Sequence, residues 1–407
     1  MITKTDWIIY AFILAQIAII FIFGYTPYDD SDAYIAIAKE CVGSGEPYPI
    51  MGILYKMPFL WNIGAINAAV ASLALTGSVV PLMVGYALLK GLTAALFYSL
   101  SKKLLGQKTA ILCLLLYVLY PANYGESTTI LSELPFMFFI MLGMWLAIVH
   151  NRFFLAGLFF AFANWFRPLG IVFLLTLIIY IVYNRRDIFL HLSACTRKDM
   201  FLRLFAPISL LLGYVLMVCV IGFASMQRTG LFMYQAKTGW MNLACYCTNN
   251  SEECMAVRDN ENWNVAQKDS AWHSMFMGWL KEHPGEYVSH MPLKVAETYV
   301  SDNVNLCAFA PDKRYEGVSL RTLIRQFPAL SPVQWLTVVN LLFYYFLLLT
   351  ALYSLRRFSM KSHLLPVSCI IIGTLMLMLI GFKGDARFHQ PFMPFFIMLS
   401  ALALRRP

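Results

Sequence analysis

The run LLPVSCIIIGTLMLMLIGF occupies residues 364–382 and contains no charged side chain. Its 19 residues are close to the length, about 20 residues, that an α-helix needs to cross the roughly 30 Å hydrocarbon core of a bilayer. The helices of soluble proteins instead alternate an apolar face with a polar one. The run therefore predicts a membrane-spanning helix.

The same character extends over the whole chain of 407 residues, of which 59% are hydrophobic and 13% charged. Soluble domains carry about 25% charged residues. Including 364–382, the apolar runs fall near 7–25, 82–101, 108–121, 134–149, 153–166, 169–183, 204–223, 335–354, 364–382 and 391–404. They predict an all-α polytopic membrane protein with about ten transmembrane helices, the first of them an uncleaved span rather than a secretion signal.

The basic residues indicate how these runs are oriented. The formal net charge is +9, and its carriers cluster beside the ends of apolar runs, as the positive-inside rule requires. We therefore interpret the charge as topology and expect no nucleic-acid partner. With both termini in the cytoplasm, the predicted cytoplasmic set is Lys102, Lys103, Lys108, Arg152, Arg185, Arg186, Arg197, Lys198, Arg203, Arg356, Arg357, Lys361, Arg405 and Arg406.

This threading divides the chain into three parts. Residues 1–223 form an N-terminal transmembrane module that includes a first outer loop at 26–81, residues 224–334 a large and mostly helical extracytoplasmic loop, and residues 335–407 a C-terminal transmembrane module. Run 59–78 is assigned to an interfacial or re-entrant helix on the outer face, because counting it as a span would invert every later loop.

Two local features refine this division. Arg167-Pro168 predicts a break between 153–166 and 169–183, since proline disrupts a helix and a charge is costly at mid-bilayer. In the large loop, Trp272, Met275, Phe276 and Trp279 share one helical face, which favours packing over sugar stacking.

The outer cysteines are candidates for a covalent link. Cys245, Cys247 and Cys254 lie close together in a segment assigned to the oxidising side, where disulfides persist. A disulfide, free thiols and a zinc site all remain open, although no second Cys pair or His pair with ligand spacing follows. We expect one disulfide among the three.

The stretch YDDSDAYIAIA at 28–38 follows the first span directly. Asp30, Tyr34 and Ala38 recur every four residues and would share one face of a short helix. One interpretation is an interfacial helix with a solvated acidic cap. The other is a carboxylate, Asp30 with Asp29 and Asp32 as neighbours, held at the lipid headgroups as a general base.

An acid that opens a helix after the first span, followed by the Gly-rich turn GSGEPY at 43–48, resembles the first outer loop of GT-C glycosyltransferases. Within that superfamily the chain most resembles the bacterial protein O-mannosyltransferase and lipid A aminoarabinose transferase group. KMP at 56–58, SELP at 132–135, WLKEHPGEY at 279–287 and RFHQP at 387–391 resemble further short elements of that group, in the same order.

The resemblance implies a fold and a set of roles. The fold would be GT-C-like, with outer-face juxtamembrane helices and one larger outer loop domain. Lys56, Arg387, Arg167 and His389 would bind the phosphate of the donor, while Glu133 and Tyr34 would support substrate or metal. From the residues alone, Lys56 and Arg387 could equally snorkel to headgroups, and Glu133 could simply favour a helix N-terminus. Residue chemistry also favours a structural pairing of Arg167 with a carboxylate, and a structural role for His389 over a catalytic one.

One departure from the family pattern concerns the metal. The family's acidic pair is Asp-Glu, and the aligned pair here is Asp30-Ser31. A divalent cation stays possible as a cofactor, but no metal ligand is assigned.

The resulting functional hypothesis is a glycosyltransferase in the plasma membrane, the inner membrane of a bacterium, with its site facing outward. It would transfer a sugar, with inversion, from a polyprenyl-phosphate donor to a hydroxyl of a lipid, glycan or protein acceptor. Two alternatives come from other classes. A polysaccharide polymerase or ligase would carry its functional groups in the large loop, and a transporter or flippase of a lipid-linked saccharide tends to show internal repeats and midplane charges.

Overall fold

A computed structural model describes residues 3–28, 30–50, 61–184, 197–247, 251–310, 321, 324–325, 327, 329–380 and 385–405. Regular structure within these ranges is helical, with no β-strand. Short 3₁₀ turns at Pro121–Asn123, Glu126–Thr128, Val304–Phe309, Leu355–Arg357 and Gln390–Phe392 link some of the α-helices.

The α-helices of the first half are α1 (Lys4–Phe23), α2 (Asp30–Ser44), α3 (Ile63–Thr76), α4 (Val80–Leu105), α5 (Gln107–Leu119), α6 (Glu133–Ile148), α7 (Phe153–Ala163), α8 (Gly170–Asn184) and α9 (Arg197–Thr229). Those of the second half are α10 (Gly239–Cys247), α11 (Ser251–Asp259), α12 (Val265–Glu282), α13 (Pro284–Tyr299), α14 (Pro332–Ser354), α15 (Met360–Ile380), α16 (Ala386–His389) and α17 (Met393–Leu404).

Every predicted apolar run falls on a helix. The ten runs correspond to α1, α4 to α9, α14, α15 and α17, and run 59–78 contains α3. Within the described ranges, five helical segments are long and apolar enough to cross a membrane, and the bent pair 121–128 with 133–148 makes a sixth if it counts as one span. The prediction of a helical membrane protein is thus confirmed in outline, while the number of ten crossings stays a prediction.

The predicted break at Arg167-Pro168 is confirmed. Helix α7 ends at Ala163 and α8 begins at Gly170. The turn is fixed by the Asn164 side chain, whose Oδ1 accepts a hydrogen bond from the Gly170 amide at 2.8 Å. Proline has no amide hydrogen to continue a helix, so the chain reverses here and leaves Arg167 at the end of both helices.

Two apolar clusters hold the bundle together. The larger one fills the space between the membrane helices and is rich in aromatic side chains, with Phe139, Phe162 and Phe166 in mutual ring contact. The smaller one joins α2, α3 and α4 around Tyr34 and Tyr86. Helices α2 and α3 are therefore packed onto the bundle rather than loosely attached to it.

Helices α7 and α9 approach each other closely through two glycines. A Cβ atom on Gly213 would overlap the carbonyl oxygen of Phe154, and one on Gly157 would overlap that of Leu210. Small residues let helix backbones come together where lipid provides no hydrophobic driving force. This contact fixes α9 against the bundle.

Helices α10, α11 and α12 form a packed unit of their own. Cys245 and Cys254 are joined by a disulfide, which fulfils the expectation of one bridge in this segment. Trp272 and Phe276 on α12 are buried against it, and the Trp272 indole donates a hydrogen bond to the Cys254 carbonyl at 3.2 Å. The aromatic face of α12 is thus used for packing.

Replacing Gly213 with Ala should destabilise the protein, because the added methyl group collides with backbone. We expect a loss of about 1 to 3 kcal/mol, the usual cost of overpacking, seen as a lower temperature for the loss of monodisperse protein in detergent. Gly278→Ala on α12 is the control, since nothing lies within 4 Å of its Cβ position. Equal melting of Gly213→Ala and wild type would contradict the close approach.

Candidate functional site

Four charged side chains from distant parts of the chain meet at one end of the bundle, here called the site end. Asp30 begins α2, Glu133 begins α6, Arg167 lies in the turn between α7 and α8, and Arg387 lies in α16. The sequence singled out all four residues, and the structure brings them into direct contact.

Arg387 is the bridge of this group. Its Nη2 lies 3.1 Å from Oδ2 of Asp30, and its Nε lies 2.8 Å from Oε1 of Glu133. Arg167 pairs with the same oxygen of Glu133. The side chains of Glu133 and Arg387 are 2% and 6% exposed, whereas that of Asp30 is 31% exposed. The cluster is therefore a buried anchor with one accessible carboxylate.

Local sequence explains how Arg387 is aimed. Asp385 caps the short helix α16 by accepting a hydrogen bond from the Arg387 amide at 2.8 Å. Phe388, the next residue, lies under the guanidinium of Arg167 at 5.2 Å from the ring centroid. Pro391 then begins the entry into α17. The RFHQP element thus presents its arginine to the cluster and its phenylalanine to the second arginine.

Tyr34 supports the cluster from α2 without belonging to it. The Asn62 side-chain amide donates hydrogen bonds to Tyr34 Oη and to Ser132 Oγ, each at 3.0 Å, and Ser132 donates to Oε2 of Glu133 at 3.2 Å. Tyr34 is fully buried, and burial raises the pKa of its phenol. It therefore remains a neutral tyrosine that helps to orient Glu133.

Asp32 and Ser31, close to Asp30 in the chain, make hydrogen bonds of their own. Asp32 accepts a hydrogen bond from the Tyr25 hydroxyl at 3.0 Å and has no contact with the arginines. Ser31 is buried and accepts hydrogen bonds from the Tyr28 amide and the Tyr25 hydroxyl. Asp29 and Lys56 lie outside the described residues. Of the two aspartates in this stretch that the structure describes, Asp30 and Asp32, only Asp30 pairs with Arg387.

Metal binding finds no ready-made cluster here. Within the described part of the chain, no three His, Cys, Asp or Glu side chains come together as metal ligands would. Asp30 and Glu133, the two carboxylates of the cluster, are instead paired with arginines. A divalent cation therefore stays possible as a cofactor, and no metal ligand is assigned.

His389 is placed differently from the prediction that it binds the donor phosphate. It is fully buried, and its Nδ1 lies 2.6 Å from the Thr298 carbonyl oxygen. Its Nε2 lies 3.7 Å from Oδ2 of Asp302, and its ring packs against Tyr299 and Tyr344. In this position it secures α16 to α13 and does not face the accessible carboxylate.

Sequence reasoning missed two buried carboxylates below the cluster. Glu126 pairs with Lys90, and Asp302 accepts a hydrogen bond from Tyr120. Both line a cavity of about 30 Å³ that also reaches Glu133, enough for one or two waters given that each needs about 10–15 Å³. Lys90 turns toward protein as its costly position in an apolar run predicted. The cost of a charged lysine in an apolar run could also have indicated that Lys90 has a buried acidic partner, which is Glu126.

Comparisons with protein-family models, with curated proteins and with solved structures give no match to the chain.

Glu133→Gln should destabilise the protein strongly, because two buried arginines lose their shared anion while the side-chain volume is kept. Removing one partner of a buried ion pair costs about 3 to 5 kcal/mol. The measurement is thermal unfolding in detergent, with the exposed Glu282 changed to Gln as the control. If both variants unfold at the wild-type temperature, Glu133 does not anchor the cluster.

Proposed function

We propose that the chain is a membrane glycosyltransferase of the GT-C type. It takes a sugar from a polyprenyl-phosphate carrier at the non-cytoplasmic face of the plasma membrane and passes it to an acceptor hydroxyl. The observation that carries the proposal is the arrangement of Asp30, a partly exposed carboxylate, on Arg387, which Glu133 fixes from below. A carboxylate beside a cation would serve as the base and as the phosphate partner for a lipid-borne phosphate ester.

The ion pairs also support the predicted topology. Asp30 and Glu133 both contact Arg387, so the chain between them starts and ends on the same side of the bundle. Helices α3, α4 and α5 lie in that interval. If α4 and α5 both cross the membrane, α3 cannot, which agrees with its assignment as an outer-face helix. Six predicted spans, α6 to α9, α14 and α15, lie between Glu133 and Arg387. An even number of crossings again returns the chain to the same side.

The opposite end of the bundle supports the orientation. Arg405 Nη1 lies 3.3 Å from Thr109 Oγ1, so the end of α17 meets the start of α5. Lys102 and Lys103 lie in the last turn of α4 beside this contact. An excess of basic residues marks the cytoplasmic side, which leaves the site end facing outward.

In the proposed reaction, the acceptor oxygen attacks the anomeric carbon while the bond from that carbon to the phosphate oxygen breaks. The electron pair of that bond leaves with the polyprenyl phosphate, and the acceptor proton moves to Asp30. Attack opposite to the leaving group inverts the anomeric centre. Asp30 suits the role because a general base needs hydrogen-bond reach to the proton it accepts, and its carboxylate is the exposed one.

Charge balance links the two halves of this step. Glu133 neutralises one of the two arginines, and Asp30 neutralises the other. When Asp30 takes up the proton it loses its charge, so Arg387 is left with an uncompensated positive charge as the leaving phosphate gains negative charge. Preorganised donors of this kind are worth about 3 to 4 kcal/mol each in a transition state. Lys56 is proposed as a further cation, and a divalent metal remains compatible with the scheme.

The test is sugar transfer from a synthetic polyprenyl-phosphate donor by purified variants in detergent, normalised to folded protein. Asp30→Asn keeps the size and much of the capping ability of the side chain but removes the base. Transfer should fall by about 10² to 10⁴, the contribution of general-base catalysis. Asp32→Asn is the matched control, since it changes an acid two residues away that pairs with Tyr25.

The outcomes separate the hypotheses. Normal transfer by Asp30→Asn with loss in Asp29→Asn or Asp32→Asn would move the base to that residue. Normal transfer by all three would overturn the proposed base. A wild-type protein that polymerises diphosphate-linked glycans would favour a polymerase or ligase, and one that only moves the donor across vesicles would favour a transporter.

A further inference from the structure

Helix α13 exposes an apolar face that no other part of the described chain covers. Val288, Leu293 and Val300 are 60%, 58% and 58% exposed, and Pro292 and Ala296 between them are exposed as well. Spacings of three to five residues place these positions on one side of the helix. Glu286, His290 and Glu297, also exposed, follow along a separate polar edge.

The opposite face of α13 packs along a membrane helix. The Tyr287 hydroxyl donates a hydrogen bond to the Leu379 carbonyl at 2.7 Å, and the Tyr299 hydroxyl lies 2.7 Å from Thr374 Oγ1. Val295 lines a small pocket with Met378 between the same two helices. Helix α13 therefore lies along the last turns of α15, which is one of the candidate spans.

These contacts show that α13 descends into the depth of the bundle. Five residues separate Thr374 from Leu379 on α15, about 7.5 Å along the helix axis. The contact with α14 gives a second measure of depth. The Tyr345 hydroxyl donates a hydrogen bond to the Val300 carbonyl at 2.6 Å, and Tyr345 lies thirteen residues beyond Pro332, or about 20 Å from the site end of that helix.

The surroundings at this depth are apolar. On α15, Leu375 and Leu379 are about half exposed, and on α14, Leu342 and Leu349 are two-thirds exposed. Such residues on a candidate span face lipid. The exposed face of α13 lies at the level of these side chains. Val300, the C-cap residue of α13, is hydrogen-bonded to the partly exposed Tyr345.

We propose that α13 is immersed in the outer leaflet and that its face of Val288, Pro292, Leu293, Ala296 and Val300 contacts the acyl chains of bilayer lipids. The amphipathic pattern, with a charged edge beside an apolar face, is that of a helix at a membrane interface. The residues of the large loop that form α13 are thus part of the membrane-embedded protein rather than of a water-exposed domain.

This contact has a consequence for the site. Thr298 on α13 accepts the hydrogen bond from His389, which is two residues from Arg387 in the same short helix. The lipid-anchored helix therefore positions the segment that carries Arg387. The proposal concerns lipid contact alone and does not depend on glycosyl transfer.

The experiment places the wild-type protein in nanodiscs made of phosphatidylcholine that carries a photoactivatable diazirine on the acyl chain, with no donor present. After irradiation, adducts are mapped by peptide mass spectrometry. We expect adducts on peptides that contain 288–300, at a yield comparable to that of the Leu375 peptide of α15. The peptide of α12 (Val265–Glu282) is the internal control and should carry none.

Two results would overturn the proposal. One is labelling of the α15 peptide with none on 288–300, which would mean that water covers the face. The other is labelling of 288–300 no greater than that of α12, which would place the face outside the bilayer together with α12. Because the nanodiscs contain no polyprenyl lipid, adducts on α13 report bilayer acyl chains, and a failure here leaves the transfer assay unaffected.

Discussion

The site depends on the ion pairs that the buried carboxylate of Glu133 makes with two arginines. A charge inside a membrane protein is stable only when it is paired and hydrogen-bonded. Here the partners come from positions 167 and 387 of the chain. The pairing therefore requires the start of α6, the turn after α7 and the short helix α16 to converge at one point. The accessible carboxylate of Asp30 is held by the same set of contacts.

The surrounding architecture follows from this convergence. The helices that end at the cluster are short, since α6, α8 and α17 have 16, 15 and 12 residues, or about 24, 22 and 18 Å. Spans of 20 residues or more, such as α1 and α15, extend about 30 Å or farther. The helices that meet at the cluster are thus shorter than these two candidate spans.

The sequence predicted the helices well because their signal is local. Apolar runs, the Arg167-Pro168 break and the neighbouring cysteines each depend on residues close together in the chain. It also named Asp30, Glu133 and Arg387 as candidates, but spacing could not show that they touch. Contacts between residues more than 250 positions apart arise from the packing of the helices.

The same reason explains what the sequence left open or missed. His389 belongs to the element that holds Arg387, and only the packed structure shows that its ring is enclosed by Thr298, Tyr299 and Tyr344. Asp302 was missed because its partner Tyr120 lies 182 residues earlier in the chain. The depth of α13 was equally hidden, since its hydrogen bonds to α14 and α15 are tertiary.

Mass analysis of lipid-linked sugars and envelope glycans, in cells that make the protein and in cells that lack it, tests the transferase proposal most directly. Without the protein, a polyprenyl monophosphate carrying one sugar should accumulate, while that sugar disappears from an envelope acceptor. Accumulation of a diphosphate-linked oligosaccharide, or unchanged lipid-linked and envelope sugars, would contradict it.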